Sequence, residues 1–157
     1  MRLPVTLGLA VALAIASALW ASAADPPEQQ VRGLIPKIVR AWESMNTGTV
    51  DPYYAKDADL TFFDIAPLAY ANWAEYRAGV QKMFFEPNQS LKFTMKDDLR
   101  VHRRGAMAWA TFTFEADVVS KDDKSSHLVG RWTLVLEQRK AGWLVVHEHV
   151  SVPLGGS

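Results

Sequence analysis

The stretch GRWTLVLEQRKAGWLVVHEHVSVP, residues 130–153, sets His147, His149 and Ser151 at every second position near the end of the chain. Alternate residues of a strand share a face. Lys140-Ala141-Gly142 reads as a three-residue hairpin loop with Gly142 in the left-handed position. That loop pairs Arg139 with Trp143, Val135 with His147, Thr133 with His149 and Arg131 with Ser151. One face then shows Arg131, Thr133, Val135, Glu137, Trp143, Val145, His147, His149 and Ser151. The other is apolar (Trp132, Leu134, Leu136, Leu144, Val146, Val150), with Gln138 and Glu148 as its polar exceptions. A guanidinium, hydroxyls and imidazoles among apolar neighbours are what lines a ligand pocket.

Three chemistries fit such residues. His147 and His149 have the i, i+2 spacing of a metal chelate, but no HExxH helix or facial-triad spacing accompanies them, so no metal is expected. An imidazole in an apolar pocket is easily tuned into the working pH range, which makes His149 a candidate general acid or base. Asp64, at the end of the apolar run LTFF, is a candidate to orient it or to act itself, and Arg131 is a candidate to bind a substrate carboxylate or a developing enolate. A structural hydrogen-bond network joining the two strands explains the same residues without a substrate. Nucleophilic catalysis has no support, because Ser151 lies mid-strand and no G-x-S-x-G elbow exists. Glycine-rich phosphate loops are absent as well.

The elements that must position these groups follow from periodicity. Val31, Leu34, Ile35, Ile38, Val39, Trp42 and Met45 recur at helical spacing, with Pro36 off the stripe. Val50 to Ala55 reads as a helical turn and Asp59 to Asp64 as a strand. Asn72 with Glu75 suggests a capping box opening a helix that carries Trp73, Tyr76, Val80, Met83 and Phe84 and stops at Pro87. Leu91–His102, straight or bent, Met107–Val118, His127–Arg139 and Trp143–Val152 then read as a four-strand antiparallel meander. Helices first and strands after predict an α+β domain. On the second of these strands Trp109 shares a face with Thr111, Thr113 and Glu115, and which face lines the interior is left open.

Composition narrows the class. The 157 residues are 49% hydrophobic and 22% charged, with 17 basic and 17 acidic residues and no cysteine. Disulfides, thiol nucleophiles and thiolate-bound metals are excluded, and no basic patch points to nucleic acid. Residues 1–23 differ from the rest: Arg2, an apolar run from Leu3 to Trp20, then Ala21-Ser22-Ala23, the small-x-small pattern of a cleaved signal peptide. Cleavage predicts an exported protein, periplasmic or secreted, with no membrane attachment afterwards; an uncleaved anchor is the alternative. The domain is then residues 24–157, with its core at about 28–153.

The strand GRWTLVLEQR, the turn KAGW and the strand WLVVHEHVSVP resemble the closing hairpin of SnoaL-like domains, part of the nuclear transport factor 2-like superfamily that includes the ketosteroid isomerases. The opening helix, YYAKDADLTFFD and the helix at Asn72 follow in the order of that family. The resemblance implies a cone, a curved antiparallel sheet wrapped round N-terminal helices with a pocket at its wide end. It also implies homodimers through the outer sheet face, which would cover the apolar even-numbered face. Isomerases of the superfamily use a pocket carboxylate as base and a Tyr plus a protonated Asp as oxyanion hole; His149 and Ser151 match the SnoaL-like hairpin instead. The expected site is therefore His149, Asp64 and Arg131 for chemistry, with Tyr54, Trp109, Thr133, His147 and Ser151 binding ligand. The expected function is binding of a small, mostly apolar, oxygen-bearing molecule, with cofactor-free acid/base turnover of isomerase, cyclase or dehydratase type. The alternative is a non-catalytic dimerisation or assembly module with a vestigial pocket, since fold does not dictate function.

Overall fold

A computed structural model describes residues 26–154. The signal peptide expected at residues 1–23 lies outside the described residues. The chain forms helix α1 (Pro27–Glu43), a short helix α2 (Thr47–Val50) that runs into a 3-10 turn (Asp51–Tyr53), and helix α3 (Trp73–Val80) that ends in a π-helical turn (Gln81–Phe85). Five strands follow: β1 (Asn88–Met95), β2 (Arg100–Arg104), β3 (Met107–Ser120), β4 (Ser125–Arg139) and β5 (Gly142–Ser151). They make one antiparallel sheet in the order β1-β3-β4-β5, with β2 also on β3. The curved sheet wraps the helices, which is the α+β cone the element order predicted.

The helices behave as their sequences require. α1 runs unbroken through Pro36 and buries Val31, Ile35, Ile38, Val39, Ala41 and Trp42. α3 starts where the capping signal stands: the Asn72 side chain accepts from the Glu75 N–H at 2.9 Å, and Glu75 reaches back to the Ala71 N–H at 3.0 Å.

Two elements depart from expectation. The strand expected over Leu91–His102 is broken into β1 and β2, which pair with different halves of β3. Asp98 sits at the break and accepts from both the N–H and the hydroxyl of Thr113, at 3.0 and 2.8 Å. The strand expected at Asp59–Asp64 is reduced to isolated bridges, Phe62 to Tyr70 and Phe63 to His149. The second of these bridges holds the segment along the free edge of β5.

The hairpin decides the site. His147, His149 and Ser151 pair with Val135, Thr133 and Arg131 as the alternation predicted, but Arg139 pairs with Gly142. The turn is thus one residue shorter than expected, with Gly142 at φ +116°. A bulge restores the register: Leu136 pairs with Val145 while Val135 pairs with His147, leaving Val146 as the extra residue. The bulge shifts the phase of β5 part-way along. Trp143 and Val145 point inward in its first half, Glu148 and Val150 in its second.

The apolar even-numbered face of β4, with Trp132, Leu134 and Leu136, is therefore buried under the helices rather than turned outward to a second subunit. On β3, Ala108, Ala110, Phe112, Phe114 and Ala116 are inside and Trp109 is outside.

Candidate functional site

Glu148 is fully buried in the middle of β5. Tyr54, following the 3-10 turn, and Tyr76, on α3, each donate a hydroxyl hydrogen bond to one of its carboxyl oxygens. Trp42 on α1 donates its indole N–H to the Tyr54 hydroxyl at 2.8 Å. An indole N–H can only donate, so Tyr54 must turn its own proton toward Glu148. The Trp132 indole faces the same carboxyl from β4 without reaching hydrogen-bond geometry. Aromatic packing fixes the donors: Tyr54 stacks on Trp73 at 4.2 Å between ring centroids, and Phe62 on Tyr76 at 5.2 Å.

Burial penalises the ionised form and lifts Glu148 to about 8. Burial, reinforced by the neighbouring Glu148, holds the Tyr54 and Tyr76 hydroxyls well above the usual phenol range. At neutral pH this is an uncharged acid surrounded by uncharged phenols.

Beside this network lies a cavity of about 230 Å³ between the inner sheet face and the helices. Its walls are mostly apolar and rich in aromatic rings, with Tyr70, Phe84, Phe85, Phe93, Phe114 and Trp132 among them. Ile65 and Met83 line it while remaining 46% and 54% exposed, so they mark its mouth. Asp64 and Glu148 are the carboxyl groups of the wall.

Asp64 is placed by strand-like bonds between its segment and β5. The Phe63 N–H donates to the Glu148 carbonyl at 2.9 Å, and the Val150 N–H to the Phe63 carbonyl at 3.1 Å. A reciprocal pair of backbone bonds between Phe62 and Tyr70, at 3.0 and 2.8 Å, closes the loop that follows. Burial raises the Asp64 carboxyl to about 6, opposed only by the Ile65 N–H that it accepts at 2.7 Å.

Tyr70 reaches its place because Gly79 has no side chain: a Cβ there would lie 2.2 Å from the Tyr70 ring and 2.5 Å from its hydroxyl. Helix propensity alone would have Gly79→Ala stabilise α3 by about 1 kcal/mol. Overpacking against Tyr70 reverses the sign, and a net loss of about 1–2 kcal/mol is expected in urea denaturation. A stabilised variant would show that Tyr70 yields freely.

The expected site residues divide between the two faces of the sheet. Asp64 lines the cavity, and Tyr54 lies behind it as a partner of Glu148. The others stand on the outer face. Arg131 is exposed opposite Ser151, and Thr133 lies opposite His149. His149 and His147 pack edge-on to Phe63, at 5.8 and 5.3 Å between ring centroids. His147 donates from Nδ1 to the Thr61 carbonyl at 2.7 Å, which pins the Asp64 segment from outside. Trp109 stacks with His102 at 5.2 Å. His149 and Arg131 are thus not brought to Asp64. Their face was assigned to the pocket on strand alternation, but inward packing of Trp132, Leu134 and Leu136 fixes the opposite one. Glu148, Tyr76 and Trp42 were missed as a group, although Glu148 did stand out as a lone carboxylate on an apolar strand face.

Among the described residues no three His, Cys, Asp or Glu side chains are grouped so as to hold a metal ion. The arrangement can move protons: one accessible carboxylate near its titration point, and one buried acid protonated at neutral pH. Environments that separate two carboxyl groups in this way separate a base from an acid.

Comparison with known proteins agrees with this fold. The sequence model described as the SnoaL-like domain matches residues 31–155. No curated protein sequence matches the chain. Among solved structures, a nuclear transport factor 2-like superfamily protein from Salmonella enterica is similar with a TM-score of 0.76 at 16% identity, over 83% of this chain and 94% of that one. A protein from Streptomyces avermitilis described as a candidate dehydratase of the same family gives 0.71 at 17%, over 82% and 96%. The CaMKII hub of S. rosetta gives 0.66 at 22%, over 82% and 98%. At these identities the likeness is one of fold.

Proposed function

Because the chain belongs to the SnoaL-like domain family, we propose that it binds a small, mostly apolar, oxygen-bearing organic molecule in the cavity and transfers protons on it without a cofactor. The observation that carries the reading is the pair of carboxyl groups, Asp64 and Glu148, in one aromatic cavity with their titrations set apart. Size agrees: an apolar cavity of about 150 Å³ already takes up benzene, so about 230 Å³ suits a substituted ring or a fused pair.

Asp64 acts as the base, since its raised carboxyl is still mostly ionised at pH 7. Tyr76 acts as the donor to the ligand oxygen. Tyr76 donates to Glu148 while that carboxyl is ionised; once Glu148 is protonated its own O–H turns to Tyr76, which frees the Tyr76 hydroxyl hydrogen for the cavity. Glu148 is then a positioning group acting through Tyr76. The reaction class that follows is isomerase, cyclase or dehydratase chemistry. Export after signal cleavage, and a homodimer formed through the outer sheet face where Met107 and Val129 are exposed, belong to the same proposal.

The test begins with native mass spectrometry of the mature protein from its own cells, which identifies a bound molecule for turnover assays. Asp64→Asn is expected to lower turnover by about 10²–10⁴, with KM changed only a few-fold. A clean protein with no bound molecule, or an Asp64→Asn variant at full rate, would shift the weight to the assembly-module reading.

A further inference from the structure

Among the described residues the cavity wall contains no arginine, lysine or histidine, while two of its residues are acids. The cations and histidines that the last two strands carry lie elsewhere. Arg131 is exposed on the outer face, His127 pairs with Asp117, Arg139 is held by Asp57 and Glu137, and both histidines of β5 pack around Phe63. Asp64 has the Ile65 N–H for a partner and no cation acting on it. The other titratable groups near it, Tyr54, Tyr70, Tyr76 and Glu148, are all acids.

Resting on the small-molecule reading above, we propose that the cavity selects its ligand by charge. It takes an uncharged compound of one or two rings whose oxygen accepts a hydrogen bond, and it rejects the carboxylate or phosphate of the same size. Asp64 is the residue that rejects them.

Two inventories lead to this class. The first is charge. An anionic group entering the cavity loses its hydration, finds no counter-charge and faces Asp64. Two like charges about 6 Å apart at an effective dielectric constant near 20 weaken binding about a hundredfold. The second inventory is hydrogen bonds. The buried Tyr70 hydroxyl and Trp132 indole N–H have no partner. These groups can donate, and the indole can do nothing else. A carbonyl, ether or hydroxyl oxygen answers them. An ammonium group, itself only a donor, does not, and by pairing with Asp64 it would silence the base.

The test uses three probes on one ring system: 2-acetonaphthone, 2-naphthoate and 2-(aminomethyl)naphthalene. Each is titrated calorimetrically into the purified full chain at pH 7.5, and into Asp64→Asn and Asp64→Ser. The ketone is expected to bind, with the acid about a hundredfold weaker and the amine also weaker than the ketone. In both variants the gap between ketone and acid should shrink to a few-fold. An acid that binds wild type as well as the ketone does, or an amine that binds best, overturns the assigned class. A gap that persists in both folded variants overturns the role of Asp64. If none of the three binds, the small-molecule reading falls and the charge inference falls with it. If the ketone binds without discrimination, only the charge inference is lost.

Discussion

Replacing Glu148 by alanine is expected to destabilise the fold by about 3–5 kcal/mol, the largest loss of any single polar substitution among the described residues. Two effects add. The truncation leaves a cavity between β5 and the helices, and it strands the hydroxyls of Tyr54 and Tyr76, both buried and both otherwise without an acceptor. Each orphaned hydroxyl costs about 1–3 kcal/mol. Glu148→Gln keeps the shape and one acceptor, and the phenol facing the new amide group can accept instead of donate, so about 1–2 kcal/mol is expected there. Denaturant unfolding of the two variants measures both. An alanine variant within about 1 kcal/mol of wild type would mean that the phenols find other acceptors at once.

The second large effect is on pH. Glu148 is raised from 4.5 to about 8 in the folded state, so the folded chain holds a proton that the unfolded chain has released between those values. Stability from this group is therefore fully present below about pH 4.5 and is lost as pH rises through 8. Asp64 acts in the same direction, but its window closes near 6. Between pH 6 and 8 Glu148 dominates, and unfolding free energy should fall by about 1 kcal/mol per pH unit. The carboxylates held low by partners, Asp51, Asp57, Asp98 and Asp122, titrate below this window. Glu148→Gln should make the profile from pH 6 to 8 flat. An unchanged slope in that variant would assign the proton to another group.

The fold was legible because its signals are local. The stripe of α1, the cap at Asn72 and the alternation of β3 and β4 can each be read from a few neighbouring residues. The site was legible only in part. Asp64 stood out as a carboxylate closing an apolar run, and it does line the cavity. The histidine pair drew attention because imidazoles carry chemistry, yet a strand's period cannot say which of its faces is inside. That was decided by the apolar residues of β4, together with a bulge at Val146 that leaves no signature in the sequence. Without the bulge, Trp143 and Val145 would share a face with His147 and His149, as the alternation suggested. With it, both halves of β5 send their large apolar groups inward, and Glu148 goes in with the second half. Tyr54 and Tyr76 could not be linked to Glu148 from sequence, because they lie 94 and 72 residues away from it.

Those separations bear on how the chain matures. The carboxyl that joins α1, α3 and the segment at Tyr54 sits on the last of the five described strands, and the Asp64 segment docks against that same strand. Until β5 arrives, the helices and the first four strands have a core whose phenols lack their acceptor, and Asp64 has no edge to lie along. Contacts that close such long loops form late and slowly. Site assembly and completion of folding are thereby the same event, so a chain truncated before Glu148 loses its candidate site and its structural keystone together.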